Sequence, residues 1–340
     1  MSKTLAYDPS IWVEDPHEYS INTAPPESTE KPIIRPFRRE HPSAIGTAAH
    51  RAPPTSATRS DLGIPALLAS LRAELSASSG YPACFPTAVG EIHAALRQPG
   101  TSMENLLRLV QAEPRLAELT IVLANAAMFG HNGKPVAELR DAASRLGKPI
   151  IRAAAAAFAI ERMKDELRLR SIAAPLMDLW QMSLAAACLC HLIARRTKVK
   201  PEDAFCAGML HGVGYLYIMA RAVGKSSALG TDLLGHDLIA ESHPAIGGVV
   251  LAGWGASEEL TRAVSDQQAY GRLAREEADL ADVLIAGVAL AKALQGRESC
   301  DSVRRSTRSF DTLKLTGEHC TMALKHTECR LASLQQILDH

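Results

Sequence analysis

From Asp61 onward, apolar residues return every three or four positions and polar residues fill the gaps. Leu67, Leu68, Leu71 and Leu75 form one such stripe; Val136, Leu139, Ala142, Ala143 and Leu146 form another that ends at Gly147. This is the period of an α-helix with one buried face. Thr101 and Glu104 have capping-box spacing ahead of Leu106, Leu107 and Val110, which predicts a helix start at Thr101. Further helices are predicted over residues 150–168, 175–197, 201–222, 238–252, 256–270 and 276–295, with Pro201 in a first turn, where proline is tolerated. The segment "RAAAAAFAIERM" (152–163) is apolar almost all round, so it predicts a buried helix, too short to cross a membrane. Near the end, "SVRRSTRSF" (302–310) reads as a basic, solvated connector. Met322, Leu324, Leu331, Leu334 and Leu338 then predict a closing helix packed on the body.

Residues 1–60 carry no such period. Prolines from Pro9 to Pro54 interrupt every helical register, so this segment is predicted to be a disordered or extended tail. Two apolar clusters in it, Ile11-Trp12-Val13 and "PIIRPF" (32–37), are of the kind that docks on a partner or on the body.

Composition sharpens the helical reading. Aromatic residues make up only 4% of the chain while alanine and leucine runs recur, a balance that favours packed helices over sheet and predicts an all-α protein. Lys plus Arg equals Asp plus Glu at 37 each, so no net field is present to hold a nucleic-acid backbone or an anionic membrane. No secretory signal pattern is visible, and no uncharged apolar run reaches the ~18 residues of a membrane span, so a cytoplasmic location is expected. The seven cysteines, Cys84, Cys188, Cys190, Cys206, Cys300, Cys320 and Cys329, lack CxxC pairing and read as reduced thiols. Cys188 and Cys190, two apart on a helix, point about 200° away from each other, which suits packing better than zinc binding.

Candidate chemistry centres on "FCAGMLHGVGYLYIMA" (205–220), where His211 precedes a Gly-Val-Gly step. Gly212-Val213-Gly214 lacks the third glycine of a dinucleotide loop, Tyr217 stands there instead, and the flanks are helical. Neither a Walker loop nor a GxSxG nucleophile elbow is present. A hydrolytic metal site needs three or more converging ligands, and the other candidates near His211 are His236, Asp237, His243 and Asp266. The alternative for His211 is a packed core imidazole that donates from one ring nitrogen, with Gly208, Gly212 and Gly214 permitting close helix approach.

Several segments occur in an order that resembles the HDOD domain (HD-related output domain), a bacterial signalling module related to the HD metal-dependent phosphohydrolases. They are "YPACFPTAVGEIHAAL", "LVQAEPRLAELTIVLANAAMFG", "VAELRDAASRLG", "LWQMSLAAACLCHLIA", "DAFCAGMLHGVGYLY" and "ESHPAIGGVVLAGWGASEELTRAVSDQQ", within residues 82–295. The resemblance implies an HD-like helical bundle over 172–295, a smaller helical half over 61–168, and a connector with a closing helix over 296–340. It also implies a degenerate metal position. Met182 stands at the first histidine, His211-Gly212 at His-Asp, Gln267-Gln268 at a paired histidine position and Lys292 at the closing aspartate, while His243 is retained. On that basis no catalytic residue, cofactor or metal is expected. The expected role is regulatory, through signalling proteins in trans, among them cyclic-di-nucleotide turnover enzymes and response regulators, or through a small nucleotide ligand, with no nucleic-acid binding and no membrane insertion. The competing expectation is a divergent HD-type phosphohydrolase that recruits His211, His243, His236 and Asp237.

Overall fold

A computed structural model describes residues 63–77, 87–125, 136–165, 172–225 and 237–338. The proline-rich stretch 1–60, Cys84 and His236 lie outside the described residues. Among the described residues every regular element is a helix. Helices α1 (Gly63–Ala77), α2 (Thr87–Arg97), α3 (Met103–Gln111), α4 (Pro114–Asn125) and α5 (Leu139–Asp165) come first. Then follow α6 (Ala173–Ala194), α7 (Pro201–Leu210), α8 (Val213–Lys225), α9 (Asp237–Gly253), α10 (Glu258–Ser265) and α11 (Leu280–Leu294). Three more close the chain: α12 (Cys300–Ser306), α13 (Ser309–Thr312) and α14 (Gly317–Leu338).

Several boundaries follow local chemistry that the stripes do not carry. α3 is capped by Ser102, whose hydroxyl accepts from the Asn105 amide, and not by Thr101. Thr101 instead donates to the carbonyl of Ala95 at 2.6 Å and closes the end of α2. The two adjacent hydroxyls thus serve two different helices, and the Ser102 cap is worth about 1 kcal/mol. Gly147 bends α5 with φ 67°, and Pro149 begins the second limb. α11 begins at Leu280, later than its apolar pattern predicts, because Asp279 and Asp282 form a reciprocal capping box there.

α6 is the centre of the molecule. It packs most extensively on α7 and also on α11, α14 and α5. It is long and apolar enough by composition to span a bilayer, which the run-length reading of the sequence did not foresee, yet 78% of its apolar window is buried inside the protein. Cys188 and Cys190 are both in this core, and the Cys190 thiol lies against Gly287 of α11, where a Cβ would be 2.3 Å from it. The segment 302–310 corrects the expectation of a solvated connector. It forms α12 and α13, burying Val303, Thr307, Ser309 and Phe310.

A buried cation holds α5 to the turn between α9 and α10. Arg152 is 8% exposed, and its guanidinium donates to Trp254 O at 2.8 Å and Gly255 O at 3.0 Å. His93 of α2 lies 3.5 Å from the same guanidinium and stacks on Trp254 with ring centroids 4.3 Å apart. Arg97 donates to Gly253 O at 2.9 Å, and Gly255 adopts φ 67° where a Cβ would fall 2.0 Å from the Arg97 side chain. Three side chains from α2 and α5 thus fix the turn, and with it the placement of α9 and α10. Burial lowers the pKa of Arg152 and, more strongly, that of His93.

Candidate functional site

The stretch 205–220 bends between two helices. His211 directly follows α7, Gly212 completes the turn, and α8 begins at Val213. The His211 ring is 4% exposed, with Nδ1 2.7 Å from Gly208 O. A carbonyl only accepts, so Nδ1 carries the proton and donates. Burial pushes its pKa down to about 4; the Gly208 bond opposes this and Lys292 adds to it. The backbone carbonyl of His211 accepts from Gln267 Nε2 at 2.9 Å, and the same amide donates to Val264 O at 2.8 Å.

His243 is buried within α9, and Gln268 approaches it from beyond α10. Gln268 Nε2 donates to Ala240 O at 2.8 Å and lies 3.2 Å from His243 Nε2. Tyr215 stacks on the imidazole with centroids 3.8 Å apart. Burial holds the His243 pKa well below its usual value, and His211 and Lys292 lower it further. Lys292 of α11 donates to Tyr270 Oη at 3.2 Å.

Close backbone approach sets this arrangement. A Cβ on Gly214 would be 1.9 Å from His243 O, so α8 and α9 touch there without room for a side chain. A Cβ on Gly208 would be 2.4 Å from Ala187 Cα, which seats α7 on α6. At Gly212 a Cβ would meet Leu179 Cδ1 at 2.3 Å, with the Ser183 hydroxyl at 3.5 Å. A side chain after His211 would press on the end of Leu179 of α6, which must swing aside to admit it.

The structure therefore brings His211, Gly212, His243, Gln267, Gln268 and Lys292 into one region. Met182 lies on α6, buried, one residue before Ser183. Asp237 is exposed at the start of α9. A divalent cation needs several imidazole or carboxylate donors. Among the described residues no three His, Cys, Asp or Glu side chains are grouped to supply them. His243 Nε2 faces an amide N–H, His211 Nδ1 is committed to a carbonyl, and Lys292 is a cation itself. This donor set does not fit a divalent metal. Sequence reasoning missed Tyr215 and Tyr270. Their signal is spacing: Tyr215 lies four residues after His211 and Tyr270 two after Gln268.

An all-helical protein with a central buried α6–α7 pair and imidazoles at the α7–α8 turn and on α9 has the architecture of the HD-like helical folds. The HDOD domain family matches residues 83–270, more than half of the 340, and the chain belongs to that family. Among solved structures, it is similar to a candidate metal-dependent phosphohydrolase from Shewanella amazonensis SB2B, with 18% identity and a TM-score of 0.54 over 76% of this chain and 98% of that one. It is also similar to an HDOD domain protein of unknown function from Geobacter sulfurreducens, with 20% identity and a TM-score of 0.50 over 82% of this chain and 98% of that one. At these identities the likeness is one of fold. No curated protein matches the chain.

Proposed function

We propose that this HDOD protein is a cytoplasmic regulator in bacterial signal transduction that works by binding and not by catalysis. The observation that carries this reading is the donor set at the HD-like position: two imidazoles, two amides and an ammonium, with no carboxylate grouped among them. Phosphoester hydrolysis by an HD-type centre requires a metal to hold the phosphate and activate water, and such a set repels a divalent ion. Its partners would be signalling proteins in trans, of the classes that make, break or answer to cyclic dinucleotides. The neutral balance of charge argues against nucleic acid as the partner.

Elemental analysis of chelator-free protein, paired with phosphodiesterase and phosphomonoesterase assays in manganese or iron, tests the reading. The expected outcome is no stoichiometric metal and no turnover in the native chain. Near-stoichiometric metal, with turnover abolished by His211→Ala and His243→Ala, would overturn it in favour of a divergent phosphohydrolase.

A further inference from the structure

α12, α13 and the start of α14 border a cleft of about 580 Å³, within the size range of small-molecule sites. Phe310 and Leu315 give it an apolar wall, Arg304, Lys314 and Thr316 a polar one, and Asp311 is the single acid on the lining. None of these residues falls within the segment 83–270 matched by the family, and none belongs to the His211–His243 region.

The polar wall has donors to spare. Arg304 Nε–H is buried without an acceptor, and the guanidinium makes no ion pair with a described residue. The Thr316 hydroxyl accepts from the His319 amide at 3.3 Å and donates to no described residue. A buried donor left unmet is unfavourable and calls for an explanation.

Lys314 is held in a conformation that works against it. Among the described residues it is the one non-glycine residue with positive φ, at 54°. Its amide donates to Asp311 O at 3.1 Å and the Leu315 amide to Phe310 O at 2.9 Å, the paired closure of a helix end in which glycine is the usual residue. Glycine would sit there with less strain. What the lysine adds in exchange is an ammonium on the cleft wall.

We propose that this cleft binds a small organic carboxylate, with Arg304 and Lys314 holding the anion and Phe310 and Leu315 meeting its apolar body. Two cations and Asp311 leave the lining one net positive charge, which a single carboxylate balances. A phosphate monoester brings nearly two negative charges and would set the second against Asp311. The guanidinium presents paired N–H groups to the two carboxylate oxygens, and the ammonium adds a point charge. The site goes beyond the reading of the HD-like position and stands whether or not that position is catalytic.

Calorimetric titration of the full chain with benzoate, and separately with phenyl phosphate, at low ionic strength tests it. Benzoate should bind the more tightly of the two and raise the melting temperature. Lys314→Gly should weaken benzoate binding roughly tenfold while leaving the ligand-free melting temperature at or above the native value, since it relieves the positive φ. Arg304→Gln should weaken binding at least as much. Loss of binding without loss of stability separates a ligand contact from a structural one. Absence of benzoate binding at millimolar concentration, binding indifferent to both substitutions, or tighter binding of phenyl phosphate would overturn the site. None of these results touches the non-catalytic reading, which the metal and turnover assays decide.

Discussion

Arg152 and His243 lie in two buried polar clusters whose partners differ in kind. Around Arg152, the fork of the guanidinium reaches two backbone carbonyls and the imidazole of His93 stacks on Trp254. Around His243, one ring nitrogen is met by Gln268, the other by nothing, and a nearby ammonium has an aromatic hydroxyl for company. The first has the bonding pattern of a structural joint, with strong charged hydrogen bonds at both ends. The second is knit from side chains alone, an amide on the imidazole, a phenol ring stacked on it and an ammonium on a second phenol. The difference teaches that burial of a charged or titratable group does not by itself assign it a role; the kind of partner it meets, backbone carbonyls in one cluster and side chains in the other, sets the two apart.

The comparison breaks most visibly at the joint. Arg152→Met should destabilise the protein by roughly 3–4 kcal/mol in urea unfolding, because two carbonyls lose their donors and α2 and α5 lose their hold on the α9–α10 turn. Arg152→Lys, which keeps the charge without the fork, should recover part of that. Equal losses for the two variants would mean that the geometry of the fork is not what matters.

Acid should act next. His211 has a folded pKa of about 4, below its unfolded value, so the unfolded chain binds the extra proton between those two values. The stability this confers is complete above about pH 6.5 and is lost as pH falls toward 4, by about 3 kcal/mol at pH 4. His243 and His93, lowered by burial in the same direction, add to the loss. His211→Asn keeps a donor for Gly208 O, and in that variant the fall in stability between pH 7 and pH 4 should shrink by about 3 kcal/mol. An unchanged fall would place the acid sensitivity elsewhere.

The smallest change sharpens the comparison at the second cluster. Gly214→Ala sets a methyl against His243 O, a backbone atom with nowhere to go, and should cost about 2 kcal/mol by calorimetric melting. Because α9 must shift, the Tyr215–His243 stack should loosen as well, visible as a change in the imidazole NMR signals. A variant with native stability would show that α8 and α9 are less tightly seated than described.

Much of this was legible in the sequence, and for physical reasons. The helices α3 and α10 announce themselves because burial on one side imposes a 3.6-residue period, and α6 shows as an apolar run because it is buried nearly all round. The single helix expected over 201–222 is instead broken into α7 and α8 at His211 and Gly212. The buried His211 donating to a carbonyl follows from its place in an apolar run. Ser102 could not be separated from Thr101 by spacing, since both hydroxyls can cap. The helices α12 and α13 were hidden because the charges of "SVRRSTRSF" interrupt the apolar pattern, although Val303 and Phe310 alone suffice to anchor them. Arg152 was illegible for a different reason. Its partners are backbone carbonyls, which every residue owns, so no letter in the sequence points to them.

The Asp279–Asp282 capping box has a consequence for how far the packing reaches beyond the family match. Asp282 is 1% exposed, and besides closing α11 it accepts from Ser309 of α13 at 2.9 Å and lies 3.7 Å from Arg272. The family resemblance fades near residue 270, yet this carboxylate is satisfied partly by a residue almost forty positions further on, and α14 then lies against the central α6. The segment matched by the family model and the packed fold are therefore of different lengths. A chain cut after α11 would keep every residue matched by the family model and still lose the Ser309 hydroxyl from a carboxylate that only Arg272 and the Asp279 amide would then hold.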